Sequence, residues 1–166
     1  MIVVSDTTPL ISLIKINKLS ILEKLFGKVF IPIKVFEELT TNYSFKDEAE
    51  LIKNSIFIEV ISVKNIDSVE IFRRATGLDR GESEAIVLTD EMNADLLLMD
   101  ERHGRHIAKK MGLAVVGTLG VLYSAYEEEI LTKEDVINCL DELKKSNIRI
   151  SDSLHNDLMD KIKCSK

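Results

Sequence analysis

IVVSDTTPLISLI, residues 2–14, decides the fold. Ile2-Val3-Val4 is an unbroken apolar, β-branched run, the composition of a strand buried on both faces in a parallel sheet. It stops at Ser5-Asp6. Thr8-Pro9 then sets a preferred helix cap before a proline suited to the first helical position, and Leu10, Leu13 and Ile14 give that helix an apolar face. The stretch reads as strand, acid, helix: the opening of a βα unit with a carboxylate at the strand's carboxyl end.

The same grammar recurs along the chain. A second helix runs through Ile21, Leu22 and Leu25 and closes at Gly27. Val29-Phe30-Ile31 reads as a second strand, and Pro32 opens a helix carrying Val35, Phe36 and Leu39. The polar residues 42–55 predict one further helix, and Phe57 to Val63 a third strand. A helical pattern from Ile66 to Thr76 breaks at Gly77, and Asp79 starts a longer helix to about Asn93. Leu96-Leu97-Leu98-Met99 is the fourth strand, halting at Asp100 much as the first halts at Asp6. A helix over 101–111, a short strand over 114–116, helices near 118–130 and 132–145, and a last amphipathic segment over 151–162 follow.

Strands separated throughout by helices predict a three-layer α/β/α architecture, Rossmann-like, with a central, mostly parallel sheet. At 166 residues the chain is long enough for one buried core and short for two, so a single domain over 1–166 is expected, with a core to about 130 and C-terminal helices over about 131–163. Hydrophobic residues at 45% and charged residues at 30% mark a globular chain rather than a disordered one. No apolar run approaches the roughly 20 residues of a membrane span, and no signal-peptide pattern opens the sequence, so a cytoplasmic protein is expected. Cys139 and Cys164 read as ordinary reduced thiols. A net charge of −6 excludes a protein that coats nucleic acid by bulk electrostatics, though not one that reaches phosphates through bound cations and a local basic patch.

In doubly wound sheets ligands bind beyond the carboxyl ends of the strands, where strand order reverses. An order that pairs the first strand with the fourth sets Asp6 and Asp100 side by side. Two glutamates join them as candidates: Glu38, beside the apolar stripe of the third helix, and Glu82, in the first turn of the helix from Asp79. Each has a plainer explanation. Asp6 and Asp100 have the chemistry of helix caps, Asp79 and Glu82 the spacing of a capping box, and Glu38 the look of a solvated helical acid. A helical wheel, however, places Glu82 close to the apolar arc of Leu78, Ala85, Ile86 and Met92, with Glu84 nearer its margin. Packed carboxylates repel one another unless they hold a hard cation, and Mg²⁺ or Mn²⁺ on oxygen ligands activates water for attack on a phosphodiester. Arg102, His103, Arg105, His106, Lys109 and Lys110 form an acid-free run after Asp100, in which Arg102, Arg105 and Lys109 are candidates for holding flanking phosphates. A solvated basic face is the alternative. His103 and His106 have no third soft ligand at metal spacing.

Five stretches, VVSDTTPLISL at 3–13, IPIKVFEEL at 31–39, LDRGESEAIVL at 78–88, LLLMDERHGRHIAKKMGL at 96–113 and GTLGVL at 117–122, together resemble the PIN-domain proteins, in particular a subgroup of small archaeal and bacterial members. The resemblance implies a three-layer α/β/α fold and Mg²⁺- or Mn²⁺-dependent cleavage of RNA by three or four acids. By position it makes Asp6 the first-strand acid, Glu38 the helical acid and Asp100 the fourth-strand acid. The family's third acid is usually an aspartate; here Glu82 has the ungapped spacing to Asp100, and Glu84 is the alternative. Thr7 falls where it would orient the Asp6 carboxylate or a metal-bound water. Many relatives are similar to toxins of toxin–antitoxin pairs, which implies a small antitoxin partner and a homodimer.

Competing enzyme readings fare worse. A haloacid-dehalogenase-type phosphatase needs an aspartate two residues after Asp6, where Thr8 stands, and neither GxGxxG nor GxxxxGK[ST] occurs. The non-enzyme alternative is a PIN-like binding or regulatory module without turnover.

Overall fold

The computed structural model describes residues 1–41, 46–148 and 150–164, the last without its side chain. Five strands, Val3–Ser5 (β1), Val29–Pro32 (β2), Ile58–Ile61 (β3), Leu96–Leu98 (β4) and Val115–Val116 (β5), form one sheet in the order β3-β2-β1-β4-β5, and every pairing is parallel. Between and after them lie Thr7–Lys15 (α1), Ile21–Phe26 (α2), Ile33–Thr41 (α3), Lys46–Asn54 (α4), Ile66–Thr76 (α5), Arg80–Glu91 (α6), Arg102–Lys110 (α7), Thr118–Glu127 (α8), Lys133–Lys145 (α9) and Asp152–Cys164 (α10). This is the expected three-layer α/β/α fold.

Successive strand residues face opposite sides of a sheet, so each strand feeds two cores. Val3, Val29, Ile31 and Leu98 pack with Leu13 of α1, Leu122 of α8 and Leu140 of α9. Val4, Leu97 and Met99 pack on the other side with Val69 of α5, Ile86 of α6 and Ala108 of α7. Val3, Val4, Leu97 and Leu98 are completely buried, which is why these central strands read as continuous apolar runs. No helix among the described residues is long and apolar enough to cross a membrane.

Three local expectations shift. α1 starts at Thr7 with Asp6 in the cap position, so Pro9 is its third residue rather than its first. A proline is tolerated there because the first four helical N–H groups have no intrahelical partner to lose. Pro32 ends β2 and Ile33 opens α3, one residue later than expected. β3 covers only four of the seven residues from Phe57 to Val63, as suits an edge strand with Glu59 and Val60 exposed. Of the helix expected over 42–55, residues 42–45 lie outside the described residues and 46–54 are helical.

The chain runs outward from β1 to β2 to β3, then returns to place β4 against the other side of β1. That reversal is the topological switch point. Ser5 lies opposite Leu98, and the Asp6 N–H donates to the Leu98 carbonyl at 2.9 Å. Truncating Leu97, which lies on β4 between two partner strands, is expected to lower the unfolding free energy by about 2–5 kcal/mol in Leu97→Ala, measured by urea denaturation; a change below about 1 kcal/mol would contradict the packing described.

Candidate functional site

Asp6 is buried, and although it holds the cap position of α1 its side chain makes no capping bond. Residues two apart share a sheet face, so Asp6 follows Val4 toward the layer of α5, α6 and α7. Burial, opposed by the Thr7 N–H and reinforced by the charges of Glu82, Asp79 and Glu38, pushes its carboxyl up to about 7.

Glu38 reaches the same place from α3. Its Oε2 accepts the Thr7 hydroxyl at 2.7 Å, so the Thr7 side chain holds Glu38 while the Thr7 N–H serves Asp6. Burial raises the Glu38 carboxyl above its ordinary range, the Thr7 bond opposes, and Asp79 adds repulsion. Both Glu38 carboxylate oxygens lie 2.8 Å from where a Cβ on Gly81 would stand. A glycine in the first turn of α6 is therefore what lets this acid lie against the helix head.

Glu82 completes a capping box: its N–H donates to Asp79 Oδ1 at 2.8 Å, and its Oε2 accepts the Asp79 N–H at 3.0 Å. Its Oε1 lies 3.7 Å from a Cβ built on Gly104, in the first turn of α7. Burial raises this carboxyl too, the Asp79 N–H opposes, and Asp79 and Glu101 add to the rise.

Glu84 reverses the wheel. It is 4% exposed, while Glu82 is half-buried, because α3 packs against α6 and covers the margin that a wheel assigns to water. Its Oε1 takes the Arg80 Nε–H at 2.9 Å and its Oε2 the Lys34 N–H at 3.1 Å, at the start of α3.

Asp100 follows the end of β4 by two residues. Glu101, not Asp100, caps α7, accepting the Gly104 N–H at 2.7 Å. The Asp100 carboxylate instead accepts the Thr118 N–H at 2.7 Å and the Thr118 hydroxyl at 2.6 Å, at the head of α8. Asp6, Glu38, Asp79 and Glu82 are thus near enough to act on one another's charge, and Asp100 is held at the head of α8. Among the described residues, no three His, Cys, Asp or Glu side chains are arranged to hold an ion.

Arg102, His106, Lys109 and Lys110 are exposed on α7, and a shallow cleft lined by Glu101, Arg102, His103 and His106 opens beside them. A second surface cleft is lined by Thr41, Lys46 and Lys53 among others, between α3 and α4. Arg105 is half-buried and donates to the Met99 carbonyl at 3.2 Å. His103 Nε2 lies 2.8 Å from the Thr76 carbonyl, so that nitrogen carries the proton and ties α7 to the end of α5. Sequence reasoning gave Asp79 only a capping role and passed over Gly81, Gly117 and Thr118. A glycine in the first turn of a helix, where it weakens the helix, was the available signal for Gly81.

A doubly wound parallel sheet with acids at its switch point defines a class of α/β domains whose ligands are met at the carboxyl edge. The chain belongs to the PIN-domain family: a family model described as a PIN domain matches residues 2–164. This is a nuclease-type fold, and PIN domains typically use divalent metal ions. No curated protein matches the chain.

An unfolded aspartate titrates near 3.8, whereas folded Asp6 titrates at about 7. The folded state binds this proton more tightly, so the stability it contributes is whole below about pH 4 and is lost as pH rises through about 7. In metal-free protein, roughly 2–4 kcal/mol of stability should disappear over that window, read from urea midpoints at successive pH values, and Asp6→Asn should flatten this component. The same loss in the variant would show that Asp6 is not its source.

Proposed function

We propose that the chain is an endoribonuclease that depends on Mg²⁺ or Mn²⁺. The observation that supports this best is Asp6: a buried carboxyl at the switch point, without a capping bond, pushed toward neutrality by burial and by three neighbouring acids. Such a group is unfavourable as it stands and becomes favourable around a hard cation. Every donor is an oxygen, which suits Mg²⁺ or Mn²⁺ and not a soft metal. Asp6, Glu38 and Glu82 would hold the ion, with Asp79 beside them and Asp100 approaching from across the strand ends; Glu84, engaged by Arg80 and Lys34, is left out. The bound ion would supply an activated water and neutralise charge on the phosphate.

The chain's own residues do the rest. The heads of α6, α7 and α8 point N–H groups at the acid edge, where an anionic phosphate is favoured. Arg102 and Lys109 are exposed one helical face apart from the core and would hold the flanking backbone, with Arg105 bracing the strand end. Recognition of this kind reads phosphates rather than bases. The finer proposal, a cytoplasmic toxin acting as a homodimer and held in check by a small antitoxin, rests on the family resemblance.

A second reading has its own support. Glu82 is engaged in a capping box, and the described residues bring no three metal-type ligands together. Both suit a PIN-like RNA-binding module with little or no turnover.

Mn²⁺-dependent cleavage of single-stranded RNA is expected from the wild type and should fall at least about 100-fold in Asp6→Asn and in Asp100→Asn. Equal trace activity in all three would leave the binding module. Arg102→Ala and Lys109→Ala should each reduce the salt dependence of RNA binding by a slope of about 1, whatever the sequence tested.

A further inference from the structure

We infer that the open edge of β3 is a dimerisation surface, on which β3 of a second copy of this chain pairs antiparallel about a two-fold axis at Val60; this stands apart from the nuclease reading above. A sheet edge offers unpaired N–H and C=O groups to any strand that meets it, and soluble proteins blunt such edges by shortness or with lysine and proline. The sheet has two edges, β3 and β5. β5 is blunted by length, being only the two residues Val115–Val116. β3 has four residues, Ile58-Glu59-Val60-Ile61, with neither lysine nor proline among them. Its one charge, on Glu59, is matched by Lys28 Nζ at 3.1 Å. Glu59 and Val60 are both exposed and point to opposite faces of the strand, so neither helical layer closes over this edge.

The hydrogen-bond pattern puts Val60 at the centre of what the edge offers. Val29 pairs with Ile58, and the Val29 N–H donates to the Phe57 carbonyl at 2.9 Å. In a parallel ladder this register turns the peptide groups of Phe57, Glu59 and Ile61 toward β2 and those of Ile58 and Val60 away from the sheet. The Ile58 N–H is given to the Ser55 carbonyl at 3.2 Å, which leaves the Val60 N–H, the Val60 carbonyl and the Ile58 carbonyl for a further strand. Apolar surface accompanies them. Ile56, two residues before β3, is 90% exposed, Val60 is 40% exposed, and Leu51 on α4 and Ile66 and Ile71 on α5 are exposed as well. Half of the exposed large hydrophobics among the described residues thus fall between 51 and 71, a concentration that marks an interaction surface rather than scattered single residues.

The occupant that matches this edge is the edge itself. With Val60 opposite its own counterpart, the two valines exchange both N–H···O bonds, the Ile58 carbonyl of each copy meets the Ser62 N–H of the other, and Glu59 stands across from Ile61. A pairing centred on Glu59 would instead set two glutamates directly opposite, and like charges there destabilise. The net charge of −6 makes two copies repel at a distance. Contact is therefore favoured where charge is cancelled locally, as Lys28 does for Glu59, and where apolar side chains meet. Two four-residue strands alone fall short of the roughly 1,000 Å² of a stable interface, so the dimer is a reversible, concentration-dependent one.

Sedimentation velocity of the whole chain, over a range of protein and salt concentrations, tests this, with the folding of each variant checked by urea denaturation. The wild type is expected to dimerise more tightly as salt rises, because screening relieves the repulsion between copies. Val60→Pro removes the central donor at a place where an edge strand tolerates proline, and should weaken the dimer at least about 10-fold. Val60→Lys and Val60→Glu should each be monomeric alone, since like charges face each other across the axis, and an equimolar mixture of the two should recover the dimer. Recovery on mixing keeps the test open even if Val60→Pro does not fold. Its absence, when both charged variants are monomeric, would refute the two-fold pairing. A dimer that none of these variants weakens lies on another face and overturns this interface while leaving a homodimer; a wild type that stays monomeric at every concentration overturns both.

Discussion

β1 and β4 pair in parallel with Ser5 opposite Leu98, and that register decides what the carboxyl edge of the sheet looks like. The two strands come from distant parts of the chain, so their alignment has to be enforced. It is enforced at both ends. At the start, the Ile2 N–H donates to Asp95 Oδ2 at 2.6 Å while the Asp95 N–H donates to the Ile2 carbonyl at 2.8 Å; at the finish, Asp6 bonds Leu98. Because side chains alternate with period two, slipping this pairing by one residue would send Val4 and Leu97 to the wrong cores. The burial of Val3, Val4, Leu97 and Leu98 therefore holds the acids in place from beneath.

Above that edge the carboxylates fall into two electrostatic kinds. Glu84 and Asp100 each take a backbone N–H from the head of another helix and one further donor from a side chain. Both of these acids thus have protein donors for their oxygens. Asp6 and Glu38 are less well served: burial is the largest influence on both, and it works against ionisation. Helix heads can stabilise a carboxylate only within their first turn, and Asp6, at the head of its own helix, gains little beyond the Thr7 N–H. The uncompensated charge is thus concentrated at one point, the strand order reversal, where an external cation has the most to offer.

Much of this was legible in the residues. Strand, acid and helix followed directly from Ile2 to Ile14, and the recurrence of that grammar at Leu96 to Asp100 located the second acid. Two strand ends were enough to suggest the edge. What sequence reasoning missed depends on layers that a single helix cannot report. A wheel for α6 describes one neighbour, the sheet, whereas Glu84 is buried by α3 as well. Asp79 looked complete as a cap, and only the approach of β1 and α3 reveals its charge beside Asp6 and Glu38.

Gly81 carries a consequence for adaptation to heat. Its backbone is helical, and alanine at such a position ordinarily makes a helix more stable by up to about 1 kcal/mol. Selection for thermal tolerance, or consensus engineering, would favour that replacement on α6 taken by itself. The added methyl would occupy the space beside the Glu38 oxygens. Robustness of the scaffold and geometry of its acids therefore compete for the volume of one methyl group, and heat-adapted versions of this chain must find their extra stability elsewhere.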